Sequence, residues 1–381
     1  MEFGWDADTV AFREEIASFL DAELPDWWKP TNHTILSGEQ HHTFCREFAP
    51  RLAARGYHVP HWPSEYGGRD ASPWQVAVIA EEMWRRGEPR GQQYYGANWI
   101  GPAIIRYGSD EQKRYFLPRV AAGEIRWCQG FSEPDAGSDL AALRTAAVRD
   151  GDEYVVNGSK IWTSYAQTAE WCILVVRTDP AAERHSGISV LLVPMDSPGL
   201  EVREIKGCVG EHAFCELFLT DVRVPVHNRL GPENDGWAVT LDALAFERVG
   251  APRYERARYV LQCAVEQLRA RKRFDDPITA SRLGEAVAAI EAARLLNYRI
   301  VDQKARALPP TAEGNVARLA SVRAEQLAMD VLFDALGDES LVDGSLADQG
   351  IRSAMPAGLA AGSSEVNLNI IARQFLGLPK G

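Results

Sequence analysis

No two cysteines in this 381-residue chain stand at C-x-x-C spacing; the six (Cys45, Cys128, Cys172, Cys208, Cys215, Cys263) are scattered. That gives neither a zinc-ribbon spacing nor a disulfide framework, so the thiols are read as reduced. Basic charge is in short supply. Lys+Arg number 41 against 53 Asp+Glu, a net charge of −12, which argues against a general nucleic-acid or anionic-membrane surface. Long apolar runs are missing too: "WCILVV" (Trp171 to Val176) is typical of the longest and far too short to span a bilayer. His41 and His42, and His58 and His61 beside Pro60, have no carboxylate or cysteine at ligand spacing, so no metal is expected. The N-terminal stretch "MEFGWDADTVAFREEIASFL" has no basic start followed by an apolar block, and the expected location is cytoplasmic.

What is present falls into three blocks, in a chain whose 46% apolar and 25% charged content suits substantial cores. From Val10 to Glu124 the period is helical, as in "TVAFREEIASFLDAEL", with Ser109 as an N-cap before "DEQKRYFLPRVAAGE". Near Ile125 the period changes. Asp150-Gly151 and Asn157-Gly158 read as turns between short β-favouring runs, and more such runs follow up to "AFCELFLTDVRVP". From Gly236 the helical period returns in four stretches (236–271, 282–307, 311–336, 363–376), with Pro252 breaking the first. The expected fold is α+β and multidomain. It has an N-terminal helical domain (1–124), a central antiparallel β-barrel or sandwich (125–233) and a C-terminal four-helix bundle (234–381).

Three segments carry chemistry. "LDALAFERVG" (Leu241 to Gly250) sets Glu247 and Arg248 among apolar residues; at 100° per residue, Leu241, Leu244, Ala245, Arg248 and Val249 share one arc, with Glu247 at its edge. Two readings fit, a structural ion pair at a helix seam or an acid kept out of water for proton transfer. "GFSEPDAGSDL" (Gly130 to Leu140) can turn backbone N–H groups and hydroxyls toward a polar ligand, or form a capped surface loop. "NGSKIWTS" (Asn157 to Ser164) presents an indole followed by two hydroxyls, which suits a flat aromatic ligand or a core tryptophan.

Together these segments resemble the acyl-CoA dehydrogenase family. "FSEPDAGSDLAALRTAAVRDGDEYVVNGSKIWTS" is similar to its flavin loop and following hairpin, "YGSDEQKRYFLPRVAAGE" to the end of its N-terminal domain, and "NIIARQFLG" to its last helix. The resemblance covers nearly the whole chain. It implies bound FAD, an acyl-CoA substrate, α,β-desaturation, and electrons passed to an electron-transfer flavoprotein. It implies a homo-oligomer, dimer or tetramer, or a heterotetramer with a related subunit. Carried over by position, Gln129, Phe131 and Ser132 contact the flavin, and Ser138 lies at the flavin–substrate junction. Trp162 packs on the ring, with Thr163 and Ser164 at its reactive edge. Arg271 and Phe274 in "RKRF" match a segment that reaches a neighbouring subunit's FAD, although Asp275 replaces the usual Gly. Ser363 and Glu365 complete the cofactor set.

Desaturation needs a base opposite the flavin and a donor to the thioester oxygen. Most members carry the base as a Glu just before the last helix; here Ala361 holds that position, in "LAAGSSEV". Some members carry it in an "ER" pair on the first bundle helix, and Glu247-Arg248 match that pair. The resemblance therefore makes Glu247 the base and Arg248 its organiser, while Ala361 and Gly362 keep backbone contact with the thioester. Asp334 stands where an amide is usual, and Ala245 where an acid is. These changes are similar to actinobacterial enzymes of sterol side-chain degradation. An acyl-CoA oxidase or flavin monooxygenase on the same fold, a carrier-protein thioester as substrate, and a weakly catalytic partner subunit remain open.

Overall fold

The computed structural model describes residues 5–29, 38–207, 210–248, 252–309, 311–342, 344–359 and 362–379, with backbone only at 210–213, 245–248, 349 and 353. Helices come first: α1 (Ala7–Glu23), α2 (Glu39–Ala54), α3 (Pro73–Arg85) and α4 (Gln93–Tyr95). A π-helical turn, Gly96–Ile100, leads on into α5 (Gly101–Tyr107), followed by α6 (Asp110–Ala121). The strands are β1 (Trp127–Gly130), β2 (Ala146–Asp150), β3 (Glu153–Ser164), β4 (Trp171–Arg177), β5 (Ile188–Pro194), β6 (Leu200–Gly207), β7 (Gly210–Pro225) and β8 (Arg229–Leu230). Helices return with α7 (Gly236–Arg248), α8 (Arg253–Ala270), α9 (Pro277–Ala305), α10 (Glu313–Leu336), α11 (Leu346–Ala354) and α12 (Ser364–Gln374). The α, then β, then α order is the expected one.

Local chemistry explains most boundaries. The Ser109 hydroxyl accepts from the Gln112 amide, and the Gln112 side chain returns the bond, a complete capping box at α6. Pro252 separates α7 from α8 as expected. The next helix starts five residues earlier than its expected Arg282, because Asp276 accepts from the Thr279 amide at 2.8 Å and Pro277 fits the first helical position. Helix α11 was hidden by the turn-rich "GDESLVDG"; Ser345 caps it by accepting from the Asp348 amide. Asn157-Gly158 is not a turn: β3 runs straight through it. A register shift falls there instead, and a Cβ at Gly158 would lie 2.5 Å from Thr145 Oγ1, so this glycine serves a close strand approach.

Two compact units result, one holding α1, α3 and α8–α12, the other α2, α4–α7 and the sheet. In the first, α8, α9 and α10 bury Ala257, Leu261, Ala264, Leu283, Ile290, Ala328 and Leu332. Charges on four helices also interlock there. Arg13 on α1 meets Glu81 and Glu82 on α3, Glu82 meets Arg85, Arg85 meets Glu255 on α8, and Arg258 joins Glu255 to Glu291 on α9. Arg294 pairs with Glu291, and Tyr254 donates to Glu81 at 2.5 Å. Arg13, Glu81, Arg85, Glu255, Arg258, Glu291 and Arg294 help to line a cavity of roughly 560 Å³.

The second unit is built on an eight-stranded sheet in the order β6-β7-β3-β2-β4-β5-β8, with β1 beside β4. It is not purely antiparallel, as the sequence had suggested. β1 lies parallel to β4, from Trp127 opposite Trp171 to Gly130 opposite Leu174; β2 also runs parallel to β4, at Ala146 opposite Arg177, and β3, antiparallel to β2, carries the chain back before β4 begins. That pairing fixes the end of β1, where the candidate site begins.

Candidate functional site

A buried cation ties the loop after β1 to the end of β3. Lys160 is fully buried; its Nζ donates to Glu133 Oε1 at 2.8 Å and to the Phe131 carbonyl at 3.1 Å. The Glu133 carboxylate also accepts from the backbone amides of Arg144 (2.7 Å) and Thr145 (2.9 Å). Burial would raise Glu133, but Lys160 and these donors outweigh it and hold its pKa below the ordinary value. Burial pulls Lys160 down, against the pull of Glu133. Reciprocal backbone bonds between Glu133 and Ala136, and an Arg177 Nη2 bond to the Ala141 carbonyl (2.6 Å), close the loop. Nothing local marks Lys160 as special: a lysine between Ser and Ile reads as a solvated strand position.

This clasp brings the two motif segments together. The Ile161 amide donates to the Ser132 carbonyl at 2.9 Å, and Gly130 packs on the Lys160 stem. The Phe131–Ser132 backbone therefore lies beside Lys160 and Ile161, directly before Trp162. Register shifts between Lys160 and Thr163, and Trp162 takes φ 59°, a left-handed conformation costing a bulky residue about 1–2 kcal/mol. The residue is 57% exposed, its ring edge-on to Phe214 with centroids 5.9 Å apart. Next to it, Thr163 is completely buried, and its Oγ1 has no hydrogen-bond partner among the described residues. Ser164 is buried as well. A strained, exposed indole and, next to it, a buried hydroxyl without a hydrogen-bond partner are each costly to the chain on its own.

Phe131 is buried, Ser132 half-buried and Ser138 exposed on the loop. Gln129 Oε1 accepts from Trp99 Nε1 at 3.0 Å. The expected residues from Arg271 onward belong to the unit of α8–α12. Arg271 pairs with Glu339 at 2.6 Å, and Phe274, partly exposed, lies under the Arg269 guanidinium, 5.1 Å from its ring centroid. Asp334, in place of the usual amide, pairs with Arg282, and its carbonyl accepts from Arg273 at 3.0 Å. Gly362 takes φ 88°, which favours glycine; Ser363 caps α12 by accepting from the Val366 amide, and Glu365 is exposed. Ala361 lies outside the described residues.

Glu247 and Arg248 occupy the last turn of α7, and their side chains lie outside the described residues. The apolar arc expected through Leu241 is displaced: Leu241 is 47% exposed, and the buried stripe runs Gly236, Val239, Thr240, Ala243. Gly236 sets that rotation, since a Cβ there would lie 2.6 Å from Ser189 Cα.

A flavin ring is flat and apolar with an acceptor-rich edge. The exposed indole of Trp162, the orphaned Thr163 hydroxyl and the backbone of the clasped loop fit such a group. Among the described residues, no group of His, Cys, Asp or Glu forms a metal set, and no helix is long and apolar enough to cross a membrane.

Comparison with known proteins agrees. Family models for the acyl-CoA dehydrogenase N-terminal, middle and C-terminal domains match residues 6–124, 128–222 and 234–376. The chain is 34% identical to acyl-CoA dehydrogenase IpdE1 of Mycobacterium tuberculosis over 382 residues, 98% of each protein. Among solved structures, the Tcur3481-Tcur3483 steroid ACAD superposes with TM-score 0.91 at 30% identity, covering all of both chains. The ChsE4-ChsE5 complex from Mycobacterium tuberculosis does so with TM-score 0.84, also at 30% identity and full coverage. With three domain models matched in order over almost its entire length, this chain belongs to the acyl-CoA dehydrogenase family, flavin-dependent oxidoreductases that dehydrogenate acyl-CoA thioesters.

Proposed function

We propose that this protein binds FAD and desaturates an acyl-CoA at its α,β-carbons, with Glu247 as the base. The observation that carries the cofactor reading is the pairing of the strained, exposed Trp162 with the partnerless Thr163 hydroxyl. When bound, FAD accepts the hydride that leaves the β-carbon. The chain's residues do the rest. Trp162 and the loop from Phe131 hold the ring, Thr163 and Ser164 address its edge, and Ser138 borders the acyl thioester. A Glu247 carboxylate oxygen takes the proton from the α-carbon, so loss of proton and hydride leaves the double bond.

Position 247 follows Ala243 by four residues, which continues the stripe of Thr240 and Ala243 along the α7 backbone. An acid there, with Ala361 vacant of any carboxylate, supports Glu247 over every other carboxylate considered. Arg248 favours the ionised form. The Ala361 backbone N–H donates to the thioester oxygen, which a side chain is not needed to do; Ala361→Pro abolishes turnover with flavin still bound if this is correct.

The steroid and heteromeric character of the structural neighbours supports a bulky, sterol-derived or fatty acyl group and assembly with itself or a related subunit. Electrons then pass to an electron-transfer flavoprotein. The test is anaerobic titration of the purified yellow protein with a panel of acyl-CoAs. Flavin bleaching by at least one of them, followed by reoxidation with an electron-transfer flavoprotein and not with oxygen, is the expected result. Rapid reoxidation by oxygen alone means an oxidase, and no bleaching by any thioester sinks the reading.

A further inference from the structure

The Gln129 carboxamide is anchored at one end and open at the other. We infer that Trp99 is a positioning residue of the flavin site: its indole N–H holds Gln129 so that the amide Nε2 faces outward as a donor to the acceptor edge of the ring. This rests on the flavin reading above and adds a residue that does not itself touch the cofactor.

An indole nitrogen can only donate, so the atom 3.0 Å from Trp99 Nε1 has to be the carboxamide oxygen, and the orientation of the amide is not free to flip. Nε2 then points away from the indole with two N–H groups, and among the described residues the one hydrogen bond of the carboxamide is that to Trp99. Gln129 is half-buried, opposite Ile173 in the β1–β4 pair, directly before the clasped Gly130–Ser132 segment. On the flavin reading above, that open donor is what Gln129 offers to the ring edge.

The indole is itself held rigidly. Trp99 is 3% exposed, tilted on Tyr95 at 4.4 Å between centroids and edge-on to Tyr94 at 5.6 Å. It sits in the π-helical turn Gly96–Ile100, closed by the Gly101 amide bonding back to the Gly96 carbonyl. The wide turn adds a residue relative to an α-helix, which turns the side chains beyond it to a new face; such insertions recur at functional sites. Glycine is needed at its far end, where a Cβ on Gly101 would lie 1.9 Å from Trp62 Cζ2. A neutral donor at the ring edge favours its electron-rich form without placing a fixed charge in the site.

The experiment is a double-mutant cycle, Trp99→Phe, Gln129→Leu and both, read by FAD titration of the flavin-free protein, by the flavin absorption bands and by its midpoint potential. Each single change is expected to weaken FAD binding about fivefold, the worth of one net hydrogen bond. Each should also shift the absorption bands and lower the potential. The double variant should match Gln129→Leu alone. Gln129→Glu keeps an acceptor for Trp99 but removes the outward donor, so it should lose FAD affinity with an unchanged melting temperature; that arm decides the matter if Trp99→Phe folds poorly. Full additivity in the cycle, or wild-type flavin properties in Gln129→Glu, overturns the inference while leaving a flavin-binding wild type intact. A wild-type protein that takes up no FAD overturns the flavin reading itself.

Discussion

Lys160 Nζ sits 2.8 Å from Glu133 Oε1, and the pair is buried under the loop that begins at Gly130. Through this contact the strand bearing Trp162, Thr163 and Ser164 holds the loop bearing Phe131, Ser132 and Ser138. A lysine with no exposure forms the hinge pin of a surface that has to stay in register to bind a ligand.

Glu133→Gln should therefore cost on the order of 3 kcal/mol, because it leaves the Lys160 charge buried and uncompensated. Acid sensitivity should change with it. Glu133 has its pKa depressed in the folded state, so its contribution is complete above the unfolded value near 4.5 and is lost as pH falls through the lower folded value. Denaturant melts between pH 7 and 3 should show the wild type losing stability faster on acidification than Glu133→Gln. Equal slopes contradict this.

Opposite signs are expected at the ring platform. Thr163→Val removes a buried hydroxyl that has no partner, so the flavin-free chain should gain about 1 kcal/mol while FAD binding weakens. Trp162→Asn relieves the left-handed strain and gives up the edge contact to Phe214. Its flavin-free stability should stay within about 0.5 kcal/mol of wild type, with cofactor affinity falling. Thermal melts with and without FAD measure both. Loss of stability in the flavin-free form of either variant means the residue is ordinary core.

Much of this site was legible in the sequence, and the limits have physical causes. The hydroxyls and indole of "NGSKIWTS" could be read because strand pairing keeps neighbours in sequence together. The Ser109 cap and the Pro252 break could be read because they are local backbone chemistry. Lys160, Trp99 and the Arg13–Glu81 contact could not, since each partner lies 27 to 68 residues away and nothing local announces it. Asn157-Gly158 misled for a related reason: its glycine answers to Thr145 across the sheet. Leu241 misled because Gly236 sets the rotation of α7 against β5.

The ion-pair ring should behave as a structural clamp. Glu81 is buried, bridges Arg13 on α1 and accepts from Tyr254 on α8, and with burial its charge helps to push the nearby Tyr298 hydroxyl up to about 12. Glu81→Gln keeps the acceptor for Tyr254 and leaves Arg13 paired with Glu82 alone, so a loss of about 1 kcal/mol in denaturant melts is expected. The flavin absorption bands should not move, because no expected cofactor residue belongs to the ring.

Glu247 as the proton acceptor is the claim on which the functional account turns, and stopped-flow reduction under anaerobic conditions tests it most directly. Wild type and Glu247→Gln are loaded with FAD and mixed with the acyl-CoA that bleaches wild type fastest. The account predicts that the variant retains its flavin and binds substrate, yet bleaches at least about 1,000-fold more slowly, the contribution of a positioned general base. Bleaching at the wild-type rate would contradict it and move the base to another carboxylate.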